Sequence, residues 1–414
     1  MATTIVIGAG QAGAEVVSKL RDQGHEDRLV LIGQENYLPY QRPPLSKDYL
    51  AGKHDIERLF LRPASFYEEK NIDLRLAARV SEINREQKNI KVSSGETVPY
   101  EKLLIATGSR PRLLKVPGNQ LAGIHYLRQL NDVNSIKTEL NDRSNICIVG
   151  GGYIGLEVAA VMIAAGHDVT VVESETRVLQ RVTTPQMSSF FHNLHKSKGV
   201  KIYSNTTVCG FSGGKHVEYV NCGDLNIRAN LVIVGIGVIP NTELAHGSGL
   251  QCDNGIIVND RCQTSDTNIF AAGDNTNHPN TILNRRLRLE SVPNAMEQAR
   301  VSAKNMLGQN QVYRSLPWFW SNQYELRLQM LGFSMDGESQ VIRGDIEEEK
   351  FAIFYLNKDK VVAVDAINSP AEFMIGKKLL FERKNWQEHI RISFKLFYTP
   401  LLPSPHLRSD VVSN

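Results

Sequence analysis

Two glycine-rich runs are the residues of this chain best suited to chemistry. Gly8-Ala9-Gly10-Gln11-Ala12-Gly13 follows the apolar run Thr4-Ile5-Val6-Ile7. Gly150-Gly151-Gly152-Tyr153-Ile154-Gly155 follows Ile146-Cys147-Ile148-Val149. A strand-like run before such glycines and a helix-like run after them mark a dinucleotide-binding turn. The glycines let the backbone approach a pyrophosphate, and the helix N-terminus presents about half a positive charge to it. Gly8, Gly10 and Gly13 are candidate contacts for one nucleotide, and Gly150, Gly152, Tyr153, Ile154 and Gly155 for another. Two nucleotides held at once imply, most simply, a hydride passed between them.

The elements that must position these turns form an internal repeat. Gly24-His25 and Gly166-His167 follow the two candidate helices at the same spacing, Glu15 and Glu157 match, and second strands follow at Leu29–Ile32 and Val169–Val172. Strand, glycine turn, helix, glycine stop, strand predicts a parallel sheet with right-handed crossovers. Further buried strands are expected at 103–107, 231–235 and 268–272, with Pro111 and Pro117 marking a linker and Pro293 opening a helix. Beyond Pro317 the texture changes to alternating strands, as at 351–355 and 361–364, then a helix near 372–380 and an irregular tail from Pro400. The fold class is α/β: two Rossmann-like nucleotide-binding domains plus a smaller α+β C-terminal domain. The expected boundaries are 1–113 and 242–317 for the two parts of the first nucleotide domain, 114–241 for the second, and 318–414 for the C-terminal domain.

The 414 residues carry a net charge of +3, too small to argue for nucleic acid. No apolar run approaches the roughly 20 residues of a membrane span, and the first strand starts almost at Met1, so the expected location is cytoplasmic with no membrane contact. Five cysteines, at 147, 209, 222, 252 and 262, include no Cys-x-x-Cys pair, and none falls in the first 146 residues; they read as free thiols. His192 and His195 lack a third ligand and read as a solvated helix face, so no metal site is expected. Arg285, Arg286 and Arg288, and Lys377, Lys378, Arg383 and Lys384, form basic clusters able to steer an acidic protein.

Taken with Arg42-Pro43-Pro44-Leu45-Ser46-Lys47, Ala106-Thr107-Gly108, Ala272-Gly273-Asp274, Glu290-Ser291-Val292 and Pro317-Trp318-Phe319-Trp320, the fingerprints resemble the pyridine-nucleotide disulfide oxidoreductase superfamily, and within it the bacterial FAD-dependent ferredoxin reductases. The resemblance runs from residue 3 to about residue 385. It implies FAD on the first fingerprint, with Arg42, Ala106, Thr107, Gly108, Asp274, Glu290, Val292 and Trp320 around it. Either Gln34 or Glu35 would bond the adenosine ribose. It implies NADH on the second fingerprint, with Gly237 nearby. Glu173, at the end of the following strand, would accept the 2′-hydroxyl and repel a 2′-phosphate, although Arg177 and Arg181 lie close enough in sequence to soften that repulsion. Asp274 is expected after a strand and before a helix. Lys47 and Glu157 are the candidate catalytic pair: the lysine beside the flavin's reactive edge, the glutamate fixing it and neighbouring the nicotinamide.

Disulfide reductases of this superfamily pass electrons to an early cysteine pair, and its peroxidases use one early cysteine. With neither here, electrons must leave the flavin directly. NADH gives two electrons together, an iron–sulfur protein takes one at a time, and FAD has the forms that join them. The implied function is an NADH-dependent ferredoxin reductase whose 2Fe-2S ferredoxin serves a haem monooxygenase or a ring-hydroxylating dioxygenase. The alternatives are a reductase of small acceptors such as quinone or monodehydroascorbate, and a flavoprotein redox sensor resembling apoptosis-inducing factor.

Overall fold

The computed structural model describes residues 2–382; Arg383, Lys384 and the chain from Pro400 lie outside the described residues. Two compact units emerge. The first combines Met1–Pro44, Gly52–Arg112 and Gly237–Ser315; the second combines Leu45–Ala51, Leu113–Ile236 and the chain from Leu316.

The first unit is built on five parallel strands in the order Ile269–Ala271, Lys102–Ile105, Thr3–Ile7, Arg28–Ile32, Ile72–Arg75. Successive strand residues face opposite sides, and both sides are apolar. Ile5, Ile7, Val30, Ile32, Leu103 and Ile105 pack with Ile83, Ile90 and Val98 of a three-stranded antiparallel sheet. Val6, Leu29, Leu31 and Leu104 pack with Val16, Val17 and Leu20 of the helix Gln11–Asp22 and with Ala295, Ala299 and Ala303 of the helix Val292–Met306. Such double burial explains why these strands read as unbroken apolar runs. Pro293 stands in the first turn of its helix, behind a Ser291 cap that accepts the Asn294 N–H. The passage from the first unit to the second falls at Arg112–Leu113, between Pro111 and Pro117; Pro111 itself ends the strand Ser109–Pro111, which pairs antiparallel with Val238–Pro240.

The second unit repeats the architecture. Its parallel strands run Lys201–Tyr203, Asp168–Val172, Asn145–Val149, Leu231–Val234, Ile124–Tyr126. A small antiparallel sheet of Gly210–Ser212, Tyr219–Cys222 and Leu225–Arg228 covers one face around Cys147, Val149, Val232 and Val234. The C-terminal part of this unit is a five-stranded antiparallel sheet, Trp318–Gln323, Leu326–Gly332, Lys360–Ile367, Lys350–Asn357, Ser339–Asp345, carrying the helix Pro370–Glu382. Gly376 lets that helix sit close: a Cβ there would lie 2.5 Å from Val364 Cγ2.

Within this second unit a buried carboxyl links the antiparallel sheet to the turn before the helix Pro185–Ser197. Asp365 accepts hydrogen bonds from Thr183 Oγ1 (2.8 Å) and Tyr355 OH (2.9 Å). Burial pushes its pKa up to about 6 against the pull of those two donors. A carboxyl whose folded pKa is raised favours folding below the unfolded value, and that contribution is lost as pH rises through about 6. Asp365→Asn keeps one acceptor oxygen for the donors and removes the titration. The wild type should therefore lose on the order of 2 kcal/mol between pH 4 and pH 8 that the variant keeps, measured as the difference in their urea midpoints. Midpoints that shift in parallel with pH would refute it.

Candidate functional site

The two fingerprints fold alike. A Cβ on Gly8 would lie 2.2 Å from Ala106 O and one on Gly150 2.4 Å from Gly235 O; both take positive φ, at 113° and 110°. A Cβ on Gly13 would lie 1.9 Å from Gly8 O, and one on Gly155 2.1 Å from Gly150 O. The middle glycines differ: nothing lies within 4 Å of where a Cβ on Gly10 or Gly152 would be. The outer glycines thus close the turn, and the middle one leaves a free approach to the backbone. Both glycines are also the helix caps, without a side-chain cap and without an acidic residue in the first turn. Open N–H groups and an uncountered helix dipole suit an anion, and this cradle fits a dinucleotide pyrophosphate in each unit.

The ends of the second strands are equivalent as well. Gly8 N donates to Ile32 O and Gly150 N to Val172 O, each at 2.8 Å, so Gly33 and Glu173 occupy the same place. Glu173 accepts from Gly151 N (2.7 Å) and Glu175 N (2.9 Å). At Gly33 a Cβ would lie 2.6 Å from Ala9 Cβ, which excludes a side chain there. In the first unit the carboxylate comes two positions later: Glu35 receives Arg42 Nη2 at 2.7 Å and Tyr40 OH at 2.5 Å, while Gln34 is exposed. Burial works against the Arg42 charge, but Tyr40 and Glu35 outweigh it and hold its pKa above the ordinary value. Arg177 is tied to Thr183 O (2.9 Å) and Gln180 O (3.2 Å), and Arg181 is exposed.

The turn Ala106-Thr107-Gly108 is braced by two asparagines that sequence reasoning missed. Thr107 Oγ1 donates to Asn241 O (2.7 Å), and Asn241 Nδ2 donates to Thr107 O (2.8 Å). Asn275 Nδ2 reaches Ile105 O and Thr107 Oγ1, each at 3.1 Å. Asp274 accepts from Ser109 Oγ at 2.9 Å. It is followed by the strand Thr276–Asn280, not by a helix; that polar stretch is a strand because Ile256–Ile257 and Arg285–Leu287 pair with it. Gly237, at φ 98°, accepts the Arg112 N–H at 2.9 Å. Glu290 pairs with Arg288 at 2.6 Å, and Val292 opens its helix. Arg286 and Arg288 are not a loose basic run: Arg286 bonds Asn277 Oδ1 and Val258 O, and Arg288 bonds Asn254 Oδ1.

Lys47 and Glu157 meet within the second unit. The segment Leu45–Ala51 is anchored there by Tyr49, whose OH donates to Asn134 Oδ1 at 2.8 Å while Lys137 Nζ lies 4.9 Å from the centre of its ring. Lys47 Nζ stands 2.6 Å from Glu157 Oε2. The Glu157 side chain is 1% exposed and accepts two further hydrogen bonds, from Ser46 Oγ (2.6 Å) and Ser321 Oγ (2.7 Å). Three donors on one buried carboxylate offset much of its desolvation. Its repeat-mate Glu15 is likewise held by a cation, Arg300, at 2.6 Å. Trp320 neighbours Ser321 on the same strand and is half-buried between Trp318 and Phe319, with ring centres 5.6 and 6.4 Å away. Tyr153 packs on Phe319 and donates to Met330 Sδ at 2.7 Å, and burial raises its pKa well above the ordinary phenol value; Ile154 is 43% exposed.

His195 is not on a solvated face. It is fully buried, bonded to Gln323 Oε1 (2.8 Å) and Tyr324 OH (2.9 Å), and burial lowers its pKa to about 4. All five cysteines are free, with burial raising Cys147 and Cys262 most. Among the described residues, no group of three or more His, Cys, Asp or Glu could hold a metal ion, and no helix is long and apolar enough to cross a membrane.

Residues 2–299 match the family described as pyridine nucleotide-disulphide oxidoreductase, and residues 318–391 match the reductase C-terminal family. The chain belongs to the pyridine nucleotide-disulphide oxidoreductases. Among these oxidoreductases it is 42% identical over 386 residues to putidaredoxin reductase of Pseudomonas putida, covering 92% of each chain. It is 39% identical over 380 residues to the ferredoxin–NAD(+) reductase component of the anthranilate 1,2-dioxygenase system of Burkholderia cepacia, covering 91% of this chain and 93% of that one. The fold matches the reductase in the covalent putidaredoxin reductase–putidaredoxin complex with a TM-score of 0.88 at 42% identity, over 92% of this chain and 93% of the other. A ferredoxin reductase from Rhodopseudomonas palustris gives 0.90 at 37% identity, over 93% and 96%.

Proposed function

We infer that this oxidoreductase is a FAD-dependent NADH:ferredoxin reductase that supplies an oxygenase system. The observation that carries the reading is the pair of matched cradles, one per unit, in a chain with no Cys-x-x-Cys pair and no cysteine among its first 146 residues. FAD, when bound, accepts the two electrons of NADH and releases them singly to a 2Fe-2S ferredoxin. The chain's own residues bind and orient. Gly8, Gly10, Gly13 and Arg42 hold the FAD pyrophosphate, Glu35 rather than exposed Gln34 takes the ribose, and Asp274, steadied by Ser109, takes the ribityl end. Gly150, Gly152 and Gly155 hold the NADH pyrophosphate. Lys47 places a fixed cation where negative charge develops, and Glu157 fixes Lys47. Ala106, Thr107, Gly108, Glu290 and Val292 of the first unit belong to the FAD site in this reading, and Tyr153 and Ile154 of the second unit to the NADH site. A reducing, cytoplasmic setting belongs to this reading and is supported by the five free thiols.

The deciding experiment is steady-state turnover with NADH against a panel of 2Fe-2S ferredoxins and small quinones. Efficient reduction of a ferredoxin is expected; turnover with quinones and with no ferredoxin would overturn the assignment. In the same assay NADH should exceed NADPH in kcat/KM, because Glu173 stands at the ribose end of its cradle and Arg177 is occupied by backbone carbonyls. Glu173→Ala should cut that preference by roughly 10- to 100-fold, the scale of one charged hydrogen bond. An unchanged ratio would remove Glu173 from the site.

A further inference from the structure

The carboxylate of Glu157 ends a line of buried polar side chains that the proposed chemistry does not use. Ser321 Oγ lies 2.7 Å from Glu157 Oε1, Gln323 Nε2 lies 3.2 Å from Ser321 Oγ, His195 Nε2 lies 2.8 Å from Gln323 Oε1, and Tyr324 OH lies 2.9 Å from His195 Nδ1. Ser321 and His195 are 0% exposed and Gln323 is 2% exposed, while Tyr324 is half-buried at the hairpin turn beside Lys198.

The direction of every bond follows from its end. A carboxylate only accepts, so Ser321 donates its single proton to Glu157. The Ser321 oxygen must then be the acceptor for Gln323, which turns the amide nitrogen toward Ser321 and the amide oxygen toward His195. That oxygen requires a proton on His195 Nε2. In the neutral ring Nδ1 is then bare and accepts from Tyr324. Reversing the line would aim a lone pair of Ser321 at the carboxylate.

We propose that Ser321, Gln323 and His195 are positioning residues for the Lys47–Glu157 pair, a one-way chain of hydrogen-bond donors that begins at Tyr324 and holds the Glu157 carboxylate and, through it, Lys47 in place. Each bond polarises the next, so the far end of the chain is sensitive to the charge on Glu157. An amide does not readily pass protons, so the chain fixes the pair and does not conduct. The effect on flavin rests on the function proposed above; the polarity of the chain does not.

The test is 15N NMR of His195 in the holoenzyme and in its Glu157→Gln variant, joined to the flavin midpoint potential and stopped-flow reduction of Ser321→Ala, Ser321→Thr and Gln323→Leu. Wild-type His195 should be the neutral Nε2–H tautomer across pH 6 to 8, burial keeping its pKa near 4. Glu157→Gln, which can donate, should release it into a mixture of tautomers. Ser321→Ala should slow flavin reduction by about tenfold and shift the potential with KM for NADH little changed; Ser321→Thr, which keeps the hydroxyl, should restore both. Gln323→Leu should cost about threefold and add little to Ser321→Ala. An Nδ1–H tautomer, or a tautomer indifferent to Glu157→Gln, overturns the chain. A correct tautomer with an unshifted potential in Ser321→Ala overturns the positioning role. The NMR arm needs neither NADH nor ferredoxin, so it stands or falls apart from the proposed activity, and it remains readable if Ser321→Ala does not fold.

Discussion

Lys47→Met slows reduction of the bound flavin by NADH about 100- to 1,000-fold while the protein stays yellow. The magnitude is that of removing one fixed donor aimed at developing charge. The lysine is 14% exposed and stands 2.6 Å from a glutamate that is 1% exposed, so its charge is placed before any substrate arrives. The variant also leaves Glu157 buried without its cation, a loss that costs about 3–5 kcal/mol when the remaining charge cannot be neutralised. Glu157→Gln removes the stranded carboxylate and with it that loss. For that reason Lys47→Met combined with Glu157→Gln should cost less than the two singles multiplied. Stopped-flow absorbance at the flavin band, before ferredoxin is added, isolates the step. Wild-type rates in the single variant, or strict additivity in the pair, would place Lys47 outside the chemistry.

The second large effect separates the two cradles. Gly13→Val should yield a protein that retains little FAD, because even its Cβ would stand 1.9 Å from Gly8 O. Gly155→Val makes the same clash with Gly150 O, at 2.1 Å, in the other unit. It should be yellow, with normal flavin content and chemical reduction by dithionite, yet should lose at least about 100-fold in kcat/KM for NADH. That loss corresponds to roughly 2.7 kcal/mol or more of transition-state binding. Flavin content and NADH kinetics on the two purified variants decide it. Both variants losing FAD equally would mean that the cradles do not act separately.

The repeat was legible in the sequence because two periodicities coincide there: glycines at fixed spacing, and strands apolar on both faces such as Leu29–Ile32 and Val169–Val172. Glu173 was legible because it ends such a strand. For its counterpart the sequence left Gln34 and Glu35 open, because Gly33 is forced by Ala9 and the first carboxylate after the strand stands two positions on. What escaped was non-local. His195 lies on an amphipathic helix, but it is buried and its partners Gln323 and Tyr324 come from a distant hairpin. Asn241 and Asn275 carry no spacing signal, yet they hold the Thr107 turn. The strand after Asp274 is specified by its two neighbours and not by its own residues. Lys47 and Glu157 are far apart along the chain, and only the Arg-Pro-Pro-Leu-Ser-Lys run suggested that they belong together.

The seven residues Leu45–Ala51 belong by their contacts to the second unit although the first unit's chain flanks them on both sides. No single cut of the gene can therefore release the second unit whole. A fragment starting at Leu113 omits Lys47, Ser46 and Tyr49, and so strips Glu157 of its cation and of one of its two serine donors. Such a fragment carries an orphaned buried acid at its centre. Recombination that exchanges nucleotide-binding modules between related genes meets the same barrier. A transplanted second unit works only if the loop inside its neighbour travels with it, so the two halves are constrained to be inherited together.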